Sequence, residues 1–330
     1  MVRTLGVSLL ALSWGAMLSS PANAQSASAG GSASAGTASV SEVVVTAQRR
    51  NERLTDVPIS VTALSKDALM KSGVTSTGDL GQVVPGLTMD RSGPFSQPTV
   101  RGIGSPVTGP GIGTSVATYI DGFYQPSSTS NDFQLADVSS VQVLKGPQGT
   151  LFGHDSTGGA ILVTTMTPTF KPSGLASVSY GSFNDVSAQI VASDGITDNL
   201  AVYGALYYHS TDGFSHNVVT GRHDQAGYQI IGRGKILWEP TSKLKFTLAY
   251  ANADVDDPYG VAENAYHGIT DAALTPGAII PTARDETANS TSPITRVLYY
   301  SIYLTTEYDL GFASLKSYTG WRSEQDHVLT

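Results

Sequence analysis

The chain reads as a small mixed α/β domain followed by the start of an antiparallel transmembrane β-barrel, and three features of its 330 residues say so. From Gly174 onward apolar and charged residues alternate with a period of two, the signature of strands with unlike faces. The runs that alternate are joined by connections that are short and long by turns. Before them, residues 141–165 hold two β-rich runs around a connection carrying Gly146, Pro147, Gly149, Gly153, Gly158 and Gly159, where the backbone must turn sharply and repeatedly.

The N-terminus predicts export. Arg3 precedes an apolar run from Leu5 to Leu18 and then Pro21-Ala22-Asn23-Ala24, the order of a signal peptide cleaved after Ala24. A transmembrane helix needs about 20 apolar residues, and this run is shorter and interrupted by Ser8, Ser13 and Gly15. Cleavage removes one of 19 basic residues and none of 27 acidic ones, so the mature chain carries a charge of −9. That balance argues against a nucleic-acid partner. Cysteine is absent, which excludes disulfides, thiolate metal sites and cysteine nucleophiles. With no second long apolar run, any membrane span must be made of strands.

Residues 25–40 are Ala, Ser, Gly and Thr with almost nothing to bury, so they form a flexible linker. Residues 41–56 open with Ser41-Glu42-Val43-Val44-Val45-Thr46-Ala47, an extended segment suited to adding to another protein's sheet edge. The alternative is that Val43–Thr46 is the first strand of the domain that follows. Residues 57–168 read as that domain. Ser65 caps a short helix running through Met70 to a stop at Gly73, and a second helical turn ends before Pro85-Gly86. Strands are expected at Leu87–Asp90, Thr99–Ile103, Val116–Ile120, Ser140–Leu144 and Ala160–Thr165, with Asp121-Gly122 turning the chain after the third. Arg91–Pro98 and Gly104–Ser115, polar and rich in Gly and Pro, are expected as loops.

Residues 169–330 carry seven predicted strands, near 175–181, 185–193, 200–210, 226–239, 243–253, 296–308 and 312–325. In the fourth, Tyr228, Ile230, Ile236 and Trp238 oppose Gln229, Arg233 and Lys235; in the fifth, Leu244, Phe246, Leu248 and Tyr250 oppose Lys243, Lys245 and Thr247. Apolar outside and charged inside suits a wall between lipid and a wet lumen. Aromatic residues at strand ends, such as Tyr207-Tyr208, Trp238, Tyr299-Tyr300 and Trp321, suit the headgroup zone. Short turns follow the second, fourth and sixth strands, at Asp194–Asn199, Pro240–Ser242 and Asp309–Gly311. Loops near 211–225 and 254–295 follow the third and fifth. A connection as long as the second loop is expected to be functional, here facing an extracellular ligand.

Several of these segments, taken together, resemble the TonB-dependent outer-membrane receptors. The run Val141-Gln-Val-Leu-Lys-Gly-Pro-Gln-Gly-Thr-Leu-Phe-Gly153, followed by Gly158-Gly159-Ala-Ile-Leu-Val-Thr-Thr165, looks like that family's plug signature. Pro85-Gly86-Leu87, Val100-Arg101-Gly102 and Tyr119-Ile120-Asp121-Gly122 match its other landmarks in order. Glu42, Val43, Val44, Val45, Thr46 and Ala47 resemble the TonB box, supported by Arg49-Arg50 and Val57-Pro58-Ile59-Ser60-Val61-Thr62 downstream. The resemblance implies a plug domain inside a barrel of about 22 strands, so that roughly two-thirds of the wall is missing from this sequence and the seven strands cannot close. A fragment or a truncated product is therefore expected, one that would not transport as written.

Further expectations follow from the resemblance. The protein lies in the outer membrane of a Gram-negative bacterium, in contact with lipid. TonB, driven by its inner-membrane energising complex, grips the box as an added strand and pulls the plug to import a scarce ligand. A ferric siderophore or similar iron complex is the first candidate; carbohydrate, cobalamin or an aromatic compound remain open. Arg101, Gln142, Lys145 and His154 are candidates for holding the plug to acidic groups on the barrel wall. Gln142 and His154 replace an acid and an arginine found in many relatives, which weakens that lock at neutral pH. Arg91, Phe95, Gln97, Ser105 and Thr108 are candidate ligand-facing loop residues. The alternative is a non-transporting binding or signalling protein.

No enzyme is expected. There is no Gly-x-Ser-x-Gly elbow, no P-loop and no dinucleotide fingerprint, so neither catalysis nor a cofactor is predicted. His209, His216 and His223 lie in or beside one predicted loop and could meet a metal, yet exposed loop histidines are ordinarily solvated.

Overall fold

The computed structural model describes residues 44–45, 52–92, 95–105, 107, 109, 112–129, 134–135, 137–256, 276–288, 290 and 294–329. The predicted leader, its cleavage site and the 25–40 linker lie outside the described residues.

The α/β domain is built on a mixed five-stranded sheet. Its strands are β3 (Ser60–Ser65), β6 (Val116–Ile120), β7 (Phe123–Gln125), β8 (Val138–Lys145) and β9 (Gly159–Thr165), in the order β3-β8-β9-β6-β7. Only β6 and β9 run parallel; the other pairs are antiparallel. Alternation along β8 divides the core. Val141 and Val143 pack on one face with Leu69, Leu80 and Val100, whereas Leu144 packs on the other with Tyr119, Phe152 and Leu162.

Two helices cover the first face, α1 (Lys66–Lys71) and α2 (Leu80–Val83). The predicted cap is present: Ser65 Oγ accepts a hydrogen bond from Ala68 N at 3.3 Å, and the chain leaves α1 through Gly73. Ser65→Ala should therefore lower the domain's stability by about 1 kcal/mol, read as a shift in denaturant midpoint with no change in slope. The glycine-rich connection between β8 and β9 contains a single helical turn, α3 (Gly149–Phe152). At Gly159 a Cβ would lie 2.2 Å from Leu144 O, so this close strand crossing admits no side chain.

Two sequence expectations are corrected here. Arg91–Pro98 is largely not a loop: β4 (Leu87–Ser92) pairs antiparallel with β5 (Phe95–Val100) as a hairpin. The expected strand at Thr99–Ile103 ends at Val100 instead, because Arg101 and Gly102 take the left-handed backbone of a turn, with φ of 52° and 79°. Strands β3 and β7 were not anticipated.

The seven predicted strands form one antiparallel sheet in sequence order. They are β10 (Ser173–Tyr180), β11 (Val186–Thr197), β12 (Leu200–Thr211), β15 (Gly227–Thr241), β16 (Leu244–Asp256), β18 (Ile294–Asp309) and β19 (Ser314–Leu329). The short connections β11–β12, β15–β16 and β18–β19 share one end of the sheet, and the long ones share the other. The faces divide as the alternation predicts. Ile236, Trp238, Leu248 and Trp321 are exposed on the outward face, while Arg233 and Lys235 are buried on the inward face against the α/β domain. Trp238 and Phe246 stack as a cross-strand pair near the short-turn end.

The long loops are not structureless throughout. β13 (Ser215–Asn217) pairs with β14 (His223–Asp224) and, in parallel, with β17 (Glu286–Thr287). Asp224 anchors this small sheet: its Oδ2 accepts from Asn217 Nδ2 at 3.2 Å and from Thr287 Oγ1 at 2.5 Å. Residues 257–275 of the longer loop lie outside the described residues. Near the N-terminus, β1 (Val44–Val45) pairs antiparallel with β2 (Glu52–Arg53), apart from the five-stranded sheet.

Candidate functional site

The domain meets the wall along a seam formed chiefly by the β6–β7 turn, by Asp137 and by the inward face of β12 to β19. At the turn, Asp121 and Gly122 take left-handed backbone, with φ of 50° and 87°. Asp121 Oδ1 accepts from Thr165 N at 2.8 Å, its Oδ2 accepts from Thr165 Oγ1 at 2.6 Å, and Lys235 Nζ lies 2.9 Å from Oδ2. Burial pushes the Asp121 carboxyl up, but Lys235 and the Thr165 hydrogen bonds outweigh it, so it stays ionised below the usual carboxylate range.

Asp137, 2% exposed, pairs with Arg233, 7% exposed, and accepts from Tyr203 Oη at 3.0 Å. Phe123 stacks on Tyr303 with centroids 3.9 Å apart and meets the edge of Tyr318. Arg322 donates to Gln125 Oε1 and pairs with Glu324.

Toward the long-loop end the seam opens into a cavity of about 390 Å³, lined by Phe95, Ile112, Thr129, Arg322, Glu324 and Asp326. Thr129 Oγ1 lies 2.7 Å from Asp326 Oδ2 and 3.2 Å from Glu324 Oε1, so its single proton serves two carboxylates. The cavity is thus aromatic on one side and charged on the other, suited to a ligand with both characters.

Of the expected ligand-facing residues, Phe95 lines this cavity. Gln97 Nε2 donates to Ser105 O at 3.3 Å, which joins the hairpin to the following loop, and Ser105 Oγ donates to Val107 O. Arg91 stands opposite Ser96 in the hairpin. Thr108 lies outside the described residues. Arg322, Glu324 and Asp326 were missed, although their spacing of two on the last strand, all charged, was a readable signal.

The four expected plug-to-wall residues sit elsewhere. Gln142 is buried in the sheet, paired in register with Ala63 and Leu162. Arg101 and Lys145 lie close enough that burial, and then the guanidinium charge, lower the Lys145 pKa. His154 is exposed, with Nδ1 2.8 Å from Asp155 Oδ2 and its ring edge-on to Tyr124. Against the seven strands the polarity is the reverse of that expected: the domain supplies the acids Asp121 and Asp137, and the wall supplies the bases Lys235 and Arg233.

Of the candidate coupling residues, Val44 and Val45 form β1, and Glu42, Val43, Thr46 and Ala47 lie outside the described residues. His216 and His223 face each other across β13 and β14 with ring centroids 5.8 Å apart, whereas His209 lies apart from them, 3.0 Å from Asp185 Oδ2. Among the described residues no three side chains gather as a metal site.

Comparison with known proteins agrees with this geometry. The TonB-dependent receptor plug domain family matches residues 53–160. The chain is 34% identical over 207 residues to the pesticin receptor of Yersinia pestis, an alignment covering 61% of this chain and 30% of that protein. It is 25% identical over 195 residues to the vitamin B12 transporter BtuB of Vibrio vulnificus (strain YJ016), covering 57% of this chain and 30% of the transporter. The crystal structure of the ferric yersiniabactin uptake receptor FyuA from Yersinia pestis superposes with a TM-score of 0.68 at 25% identity, over 82% of this chain and 41% of that one. The chain spans about 30% of the length of the curated relatives it matches. The likeness extends over the α/β domain and the seven strands alike, and within it residues 53–160 form a TonB-dependent receptor plug domain.

Proposed function

We propose that this chain serves TonB-dependent import of a scarce small molecule, an iron chelate first, across the outer membrane of a Gram-negative bacterium. The observation that carries the reading is the seam itself. A domain with its own core is fastened to a barrel-type wall by a few ion pairs and one aromatic clamp, beneath a cavity at the long-loop end. Contacts of that kind hold at rest and yield under load. The iron preference follows the name of the ferric yersiniabactin receptor, and the BtuB match keeps cobalamin as the second substrate class.

In this reading residues 1–24 direct export and are removed, residues 57–168 form the plug, and residues 169–330 belong to a lipid-facing barrel. Glu42–Ala47 is the segment that TonB takes up as an added strand, under power from its inner-membrane complex; the pairing of Val44 and Val45 with Arg53 and Glu52 supports its strand character. Arg91, Phe95, Gln97, Ser105 and Thr108 face the ligand. Arg101 and Lys145, cations of the domain, are suited to acidic groups on further wall strands, with the exposed His154 as a weaker member of that lock, whereas Gln142 is buried in the domain's own sheet. The relatives are receptors and transporters by name, and the chain acts in the same way, without catalysis.

Deleting Glu42–Ala47 from the receptor in cells should abolish energised uptake and leave ligand binding at the cell surface unchanged. Uptake that persists in the deletion strain would remove the coupling assignment. Binding without uptake in both strains would favour the non-transporting alternative.

A further inference from the structure

The seam holds a second cavity, below the first and on the short-turn side of the aromatic clamp. It measures about 220 Å³ and has Tyr119 and Phe152 of the domain as its apolar wall. Opposite them stand Lys235 on β15, Lys245 on β16 and Lys316 on β19, and its carboxylates are Asp121 and Glu307. Two of the three lysines are committed: Lys235 Nζ lies 2.9 Å from Asp121, and Lys316 Nζ lies 3.0 Å from Glu307. The third, Lys245, has Glu239 4.0 Å away, and Glu239 does not line the cavity.

Three ammoniums thus line the cavity with two carboxylates, and the carboxylate that balances the third, Glu239, stands outside the lining. The outer cavity has the opposite balance, with Arg322 against Glu324 and Asp326. Between the two, Phe123 is held between Tyr303 and Tyr318, and Arg322 is tied to Gln125.

We propose that the inner cavity is a second ligand site, taking a carboxylate or phosphate group, with Lys245 as its main anion contact. An ammonium on a flexible stem, held only by a long, partly exposed pair with Glu239 and set among aromatic walls, gains most from an incoming oxyanion. The site deepens the uptake reading, since a molecule moving along the seam meets it after the outer cavity. Anion binding itself does not depend on uptake, so the two can fail separately.

The test is equilibrium dialysis of the full chain in detergent, against radiolabelled inorganic phosphate and, separately, citrate. The expected result is saturable binding of at least one of them, one per chain. Lys245→Gln should weaken it about tenfold, the worth of one charge-assisted hydrogen bond, and Lys245→Arg should restore it. Thr247→Glu, which places a carboxylate in the same cavity, should abolish it and so provides a check independent of the lysine. Absence of saturable binding of either anion by the unaltered chain, or affinity indifferent to both Lys245→Gln and Thr247→Glu, would overturn the assignment. Phosphate binding alone would identify a phosphate site, and citrate binding alone a carboxylate site.

Discussion

Asp137→Ala is expected to loosen the domain from the wall by about 3–5 kcal/mol, the usual cost of stranding one partner of a buried ion pair. Arg233 keeps its charge at 7% exposure, and it would lose the carboxylate that faces it. Tyr203 loses its acceptor in the same substitution. The change is best read as the denaturant midpoint at which residues 57–168 become open to protease while the wall remains folded. Arg233→Met in the same background should recover much of the loss, since replacing the whole pair by apolar groups removes the uncompensated charge. If Asp137→Ala left the midpoint within about 0.5 kcal/mol, the range of ordinary surface substitutions, the pair would not be a principal fastening of the seam.

Gly122→Ala should have the second-largest effect, about 2–5 kcal/mol on the same readout, from two sources. A φ of 87° costs a residue with a side chain about 1–2 kcal/mol. The new Cβ would also lie 2.6 Å from Tyr318 Cε1, and Tyr318 cannot swing away without leaving the edge of Phe123, which adds about 1–3 kcal/mol of overpacking. Tyr318→Ala added to Gly122→Ala separates these sources. The clash disappears and the backbone cost stays, so the pair should be less destabilised than the sum of the single changes. Strict additivity would mean that the turn does not press on the wall as the contacts indicate.

The wall was legible in the sequence because its two faces are unlike, one apolar and exposed and the other charged and packed on the domain. Ile236 and Trp238 must alternate with Arg233 and Lys235 whatever lies inside, and all seven strands fell within a few residues of their expected places. The hairpin of β4 and β5 was not legible. Gly93, Pro94 and Pro98 give the segment a loop's composition, but in a two-stranded pair a proline can turn its missing N–H away from the partner.

The seam was legible least of all. Asp137 and Arg233 are 96 residues apart in sequence and meet only because β15 passes Asp137 in the folded chain. Local pattern carries no trace of such a pair, so neither residue was among the expected plug-to-wall contacts. The signature glycines, by contrast, announced themselves: Gly159 is required by the approach of Leu144 O, a constraint that acts within one strand–turn–strand unit.

The small sheet joining β13, β14 and β17 has a consequence for how the long-loop end meets the outside. Its parallel pairing ties the loop after β12 to the loop after β16, and β15 and β16 already lie side by side beneath it. Because β16 also pairs with β18 at the far end of that loop, the entropy of closing the tie is set by the short segments 212–214 and 288–293 rather than by the whole intervening chain. Changes of sequence in either loop will be felt by both. A molecule that touches one will read a composite surface, so substitutions that alter recognition there should be found in pairs across the tie.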